Sequence, residues 1–167
     1  MEYALNICNS LHDDHMKTVS MLEDLEAALK RIGRNNPPAA DDADVNKMLD
    51  DLVAVMDIEI TSHFRFEEEH LFPRAEQMGG GHMLMILRDE HDTIRPLAAR
   101  IAELIEVPRE NGFDAETWAK LYDLGLELAE RETFHIQKEE MAFIPMLSQI
   151  IDPSDDEALT KTFLSFK

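Results

Sequence analysis

The chain has 167 residues, enough for about one domain with a sizeable core, and 44% of them are apolar and 31% charged. Acidic residues outnumber basic ones 35 to 16, a formal charge of −19, which disfavours nucleic acid and anionic lipid because phosphate recognition needs clustered Lys and Arg. The single cysteine, Cys8, excludes an internal disulfide and a cysteine-built zinc or iron–sulfur site, and fits a reducing compartment.

The amino-terminal Met1-Glu2-Tyr3-Ala4 has no basic segment followed by an apolar one, and no apolar run approaches membrane-spanning length. A cytoplasmic protein without nucleic-acid or membrane partners is therefore expected. The first helical pattern, about residues 3–33, places Ile7, Leu11, His15, Val19, Leu22, Leu25, Leu29 and Ile32 at three- and four-residue steps, the spacing of one helix face. It ends near Gly33, and Arg34 to Ala40 is a breaker-rich loop before Asp41 or Asp42, either of which suits a helix cap.

The second pattern, about 42–72, runs through Val45, Met48, Leu52, Met56, His63 and Glu67 toward Pro73, and Gly79-Gly80-Gly81 marks a turn after it. The third, about 82–107, carries Leu84, Leu87, His91, Ile94, Ala98, Ile101 and Ile105. Pro96 inside it removes a backbone donor and predicts a bend, and Pro108 stands near its end. The fourth, about 114–150, opens at the candidate cap Asp114 and carries Leu121, Leu124, Leu128, His135, Glu139, Ala142 and Met146. A short amphipathic helix over about 155–165 is expected to pack across one end. The ten methionines read as core filler.

Short connections and the lack of a competing strand signal predict an all-α, up-down-up-down antiparallel four-helix bundle with a short C-terminal helix, one domain over 1–167. The chain also repeats itself. Leu11, Asp13, His15, His63, Glu67, Glu68 and Pro73 recur, offset for offset within each motif, as Leu87, Asp89, His91, His135, Glu139, Glu140 and Pro145. An internal pseudo-twofold duplication follows, with its axis through whatever these residues build.

His15 and His91 occupy steps of the apolar stripe, so they point inward. His63 and Glu67, like His135 and Glu139, lie four residues apart on one helix face. Imidazoles and carboxylates are costly to bury unless paired or bound to a cation. One such histidine is ordinarily a hydrogen-bonded core residue, but four imidazoles and two carboxylates at duplicated spacing predict a pair of metal ions with His15, His63, Glu67, His91, His135 and Glu139 as ligands.

Residues without a partner in the other half rank lower. His12 corresponds to Arg88 and reads as a surface residue or one that supports a ligand; His82 reads as a capping or solvent-exposed residue. His70 follows Glu67 by three, the Glu-x-x-His pattern of ferritin-like di-iron proteins, but Ala142 stands at the matching place, leaving His70 a candidate supplementary ligand or gate. Glu68 and Glu140 are rotated off the ligand face and read as carboxylates that orient histidines, or as solvated charges.

From Leu11-His12-Asp13-Asp14-His15 through His63-Phe64-Arg65-Phe66-Glu67-Glu68 and Leu87-Arg88-Asp89-Glu90-His91 to His135-Ile136-Gln137-Lys138-Glu139-Glu140, the chain resembles the hemerythrin-like, HHE cation-binding domain family. The resemblance implies two iron ions, oxo- or hydroxo-bridged, with the four histidines as terminal ligands and Glu67 and Glu139 bridging. The same donors also accept manganese or zinc. Oxygen-carrying members have His-x-x-x-His on the third helix and His-x-x-x-x-Asp on the last. Here the residues four before and four after His91 are Leu87 and Arg95, and Glu139 stands on the last helix.

Four histidines and two bridging carboxylates fill about eight of about twelve positions on two six-coordinate metals, so one or two stay open even with a bridging oxygen. The expected function is binding of, or response to, O2, NO or peroxide at these open positions. Alternatives are an oxidoreductase or iron-delivery protein of the iron–sulfur repair type, and an iron-dependent regulatory module. Repair relatives commonly carry a cysteine-bearing domain before the bundle, whereas this sequence begins almost at the first helix. The bland reading is a helical bundle with incidental zinc.

Overall fold

The computed structural model describes residues 3–106 and 111–167; Pro108 lies outside them. The fold is all-α, with no strand among the described residues. The first helix is Asn6–Ile32. The second begins as Ala43–Ile58, passes through two π-helical turns, Glu59–Phe64 and Glu67–Leu71, and ends as Phe72–Gln77. The third is Gly81–Glu106. The fourth is Ala115–Lys138, a π-helical turn over Glu139–Phe143, and Ile144–Ile150; the fifth is Pro153–Phe166.

The helix ends follow local chemistry. Asp42 and Asp114 cap the second and fourth helices by accepting from the backbone N–H of Val45 and Thr117. Gly33, at φ 89°, closes the first helix in the left-handed region that glycine adopts without a Cβ penalty. The third helix carries Pro96 without interruption. The second helix also continues past Pro73, and the fourth past Pro145. Each proline sits in the first turn after a π-helical turn, where a missing N–H costs least.

The π-helical turns change which residues face inward. An extra residue in the turn moves the buried face one position along the chain. After Glu139 the buried residue is Phe143, not Ala142, which is exposed; after Glu67 it is Leu71, leaving His70 half-buried beside it. The three-residue steps read from the sequence therefore fail at both places for one reason.

The first helix packs on the second and the fourth, the third packs on the second and the fourth, and the fifth lies along the first and the Glu59–Phe64 turn. Two apolar clusters form the core. One gathers Leu11, Phe66, Phe72, Leu87, Phe143 and Leu147 among others, and the second gathers Leu22, Met56, Phe64, Ile94, Trp118 and Leu128 among others. Each fully buried Leu, Phe or Met contributes roughly 1.5–3 kcal/mol of transfer free energy. Along each of the first four helices, His15, His63 with Glu67, His91, and His135 with Glu139 fall between residues of the two clusters. A polar layer is thus held inside apolar walls.

Gly125 lets the first and fourth helices approach: a Cβ there would lie 2.8 Å from Leu29 Cδ1. The methionines depart from the expected core role. Met56 is buried, but Met16, Met78, Met85 and Met141 are exposed, because their positions fall off the inward stripe. Cys8 is a buried free thiol.

Candidate metal centre

All six residues singled out by the duplication are brought together. Each is buried, and their donor atoms form two groups: His15, His63, Glu67 and Glu139, and Glu67, His91, His135 and Glu139. Nε2 of His15 stands 3.1 Å from Nε2 of His63, and the same distance separates Nε2 of His91 from Nε2 of His135. Two nitrogens each about 2.1 Å from one metal, at a right angle to each other, lie about 3.0 Å apart, so both pairs are spaced as donors to a common ion.

The carboxylates connect the two poles. Glu67 places Oε1 3.2 Å from His63 Nε2 and Oε2 3.5 Å from His91 Nε2. Glu139 places Oε2 3.0 Å from His15 Nε2 and Oε1 3.2 Å from His135 Nε2. Each carboxylate therefore gives one oxygen to each pole, the arrangement of a bridge. Glu67 Oε2 and both oxygens of Glu139 are buried and accept no hydrogen bond among the described residues. Such orphaned atoms are expensive in an apolar interior and are what a cation would satisfy. The residues fit a pair of metal ions.

A second ring orients the imidazoles. His15 Nδ1 donates to Glu140 (2.6 Å), His91 Nδ1 to Glu68 (2.7 Å) and His135 Nδ1 to Glu90 (3.0 Å). With Nδ1 protonated, each neutral ring turns the Nε2 lone pair toward the centre. The carboxylates have partners of their own. Arg95 binds Glu68 at 2.7 Å, Lys138 binds Glu90 at 2.5 Å, and His12 binds Glu140 at 2.9 Å with the Tyr3 hydroxyl at 3.3 Å.

The fourth chain of this kind is looser. Asp14, the match of Glu90, lies 3.7 Å from His63 Nδ1 and is held by Lys167 at 2.6 Å. Among the described residues, His63 Nδ1 has no hydrogen-bond partner. Glu59 stands 3.9 Å from it and accepts from the Thr18 hydroxyl at 3.0 Å.

Without a metal, these groups perturb one another strongly. Burial works against a charge on His15, but the carboxylates of Glu139 and Glu140 beside it outweigh burial and raise it to about 9. Burial and the charge of Glu139 raise Glu67 to about 7. Burial opposes the charges of Glu68, Glu90 and Glu140 too, but their histidine and cation partners hold them below the usual carboxylate range. Glu132, one turn before His135, is pushed up to about 8 by burial and by the charge of Glu59.

Aromatic rings line the His91 pole. Phe64 stacks on His91 at a centroid distance of 3.8 Å, and Phe72 lies at 5.7 Å. Arg95, four residues after His91, lies over Phe64 and binds Glu68. His70 lies outside both donor groups, against Phe66 and Phe166, and His82 is exposed. His12 supports Glu140.

Asp14, Glu90, Glu59 and Glu132 take roles here that the spacing of the ligand motif does not predict. Asp14 and Glu90 carry a signal that could have found them, since they fill the same acidic place before the histidine in both motif copies. Glu59 and Glu132 correspond to Arg131 and Ile60, so the repeat conceals them.

Fold and donor set together define a helical-bundle metal-binding protein built on buried His and Glu side chains. The family model for the hemerythrin HHE cation binding domain matches residues 6–147, and the chain belongs to that family. Comparison with the curated proteins returns no match.

Proposed function

We propose that the chain is a non-haem di-iron protein that binds or responds to O2, NO or peroxide. The observation that carries this reading is the bridging placement of Glu67 and Glu139 between two pairs of histidines. Two nitrogens and two oxygens at each pole leave about two of six positions free on an octahedral ion. A bound iron pair would supply redox electrons and those free positions. The protein's part is to hold the imidazoles through the Nδ1–carboxylate bonds and to exclude water with Phe64, Phe72 and the two apolar clusters. Manganese or zinc suits the same donors.

The up-down-up-down order, the pseudo-twofold duplication, a single domain over 1–167 and a cytoplasmic location belong to the same proposal. The matched motif offsets and the matched His–carboxylate pairs support the duplication. Among the described residues, no helix is long and apolar enough to cross a membrane.

Metal analysis after anaerobic loading with ferrous iron tests the reading, and two ions per chain are expected. No binding, or a single zinc only, overturns it. Stopped-flow mixing of the reduced protein with O2, NO and peroxide then separates reversible binding from turnover.

The regulatory alternative draws support from the fifth helix. Its Phe163 ring meets the edge of His63 at 5.8 Å, and Lys167, just after it, holds Asp14. Ions at the centre would thus be coupled to this helix, and iron removal should raise its protease sensitivity if the protein works in that way.

A further inference from the structure

Among the described residues, two of the carboxylates around the six donors have no cation beside them other than the donor histidines themselves. Asp14, Glu68 and Glu90 are held by Lys167, Arg95 and Lys138, and Glu140 is partly exposed and held by His12. Among the described residues, neither oxygen of the fully buried Glu132 has a hydrogen-bond partner; Glu59 is 3% exposed, with Thr18 on one oxygen and only His63 Nδ1, at 3.9 Å, near the other. Glu132 lies three residues before His135 on the same helix face, and Glu59 lies four before His63. The groups acting electrostatically on Glu132 are Glu59, His135, Glu139 and His63, one donor histidine from each pole. The two carboxylates therefore flank the centre from the second and fourth helices.

Among the described residues, three of these four buried oxygens, both of Glu132 and Oε1 of Glu59, accept no hydrogen bond, which is costly in an apolar interior of the metal-free chain. Neither Glu59 nor Glu132 belongs to a donor group of three or more, so they do not form a third metal site among the described residues. The charge count supplies their role. Two divalent ions carry four positive charges, Glu67 and Glu139 cancel two, and the four imidazoles are neutral donors. With no anionic bridge from solvent, two positive charges remain in a low-dielectric layer, where an uncompensated charge is costly and a nearby opposite charge is strongly felt.

We propose that Glu132, together with Glu59, is the built-in counter-charge of a divalent metal pair, setting how tightly the six donors hold it without ligating either ion. This deepens the metal-centre reading above and rests on it. It also accounts for a break in the duplication: the counter-charge need only be present once per centre, so the two halves contribute it from different motif positions.

The test is competitive titration of the purified chain with Zn2+, a redox-inert divalent probe, against a chromophoric chelator, alongside thermal unfolding of the metal-free protein. Glu132→Gln keeps shape and removes charge. It is expected to weaken Zn2+ binding about tenfold or more, the range found when groups behind metal ligands are altered, while leaving metal-free stability equal or higher. Glu132→Asp, which restores the charge, is expected to recover most of that affinity, and Glu59→Gln to weaken binding as Glu132→Gln does. Glu59→Gln also provides the measurement if Glu132→Gln does not fold.

A wild-type chain that binds two Zn2+ ions and a Glu132→Gln chain that binds them within twofold of wild type would overturn the counter-charge while sparing the metal centre. Affinity lost equally in Glu132→Asp would overturn it as well, by showing that shape and not charge matters. A wild-type chain that binds no divalent pair removes the metal-centre reading and this inference together.

Discussion

Three of the four inward-facing imidazoles, His15, His91 and His135, are each held as a unit with the acid behind them, and the strength of that pairing sets what substitution should do. Glu67→Ala or Glu139→Ala removes an oxygen from both poles at once, so metal content measured by elemental analysis should fall below two ions per chain. Glu68→Gln and Glu140→Gln leave every proposed ligand in place and disturb only ring orientation and basicity, so they should lower metal affinity about 10- to 100-fold in a chelator competition. Acidity should matter in a defined direction. His15 is raised to about 9 in the metal-free fold despite its burial, through Glu139 and Glu140. The stability it contributes there is complete below its ordinary value of about 6.5 and fades as pH rises through about 9. Metal binding needs its lone pair free, so metal competes with that proton, and affinity should climb as pH rises through the same window. A flat pH profile in a Zn2+ titration would contradict the assignment of His15.

At the scale of elements, the π-helical turns and the fifth helix determine what the repeat alone could not. The turns beginning at Glu67 and Glu139 advance the buried face by one residue, bringing Leu71 and Phe143 inward in place of His70 and Ala142. A strict α-helical reading keeps His70 on the ligand side; the wider turn swings it against Phe66 and Phe166. The first helix has no cap of its own, because Leu5 stands at its N-cap. Asp156 of the fifth helix accepts from the backbone N–H of Asn6 at 2.8 Å and of Ile7 at 2.9 Å, satisfying two donors that the first helix leaves open. Asp156→Ala should therefore cost about 1–2 kcal/mol of stability in chemical denaturation, as for loss of a helix cap, although it lies outside the six-residue site.

Across the whole molecule, the polar layer between two apolar clusters makes stability depend on the metal. Eight buried side-chain oxygens and nitrogens accept or donate no hydrogen bond among the described residues, all of them on residues of this layer, and of these Asp14 Oδ2 has Lys167 beside it. Ligand binding at a concentration of 100 times the dissociation constant adds about 2.7 kcal/mol per site. For a chain of this size, that corresponds to roughly 5–10 °C in the unfolding midpoint. Removal of metal by a chelator should lower the melting temperature, followed by circular dichroism, by at least that much. An unchanged midpoint would show that the layer is stable without ions.

The sequence by itself determined the helical class, the inward direction of His15 and His91, and the pairing of His with Glu four residues on, because helical periodicity and a doubled motif are local properties. The supporting roles of Glu68 and Glu140 were legible for the same reason, as repeated charges next to repeated ligands. Only the tertiary structure decided which cation meets each outer carboxylate, that Glu59 and Glu132 share one polar layer, and that Asp156 caps a helix 150 residues earlier. Those contacts join residues distant in the chain, with no matching copy in the other half. The π-helical turns were hidden for a different reason: an inserted residue shifts the buried face without changing the three- and four-residue spacing from which the sequence is read.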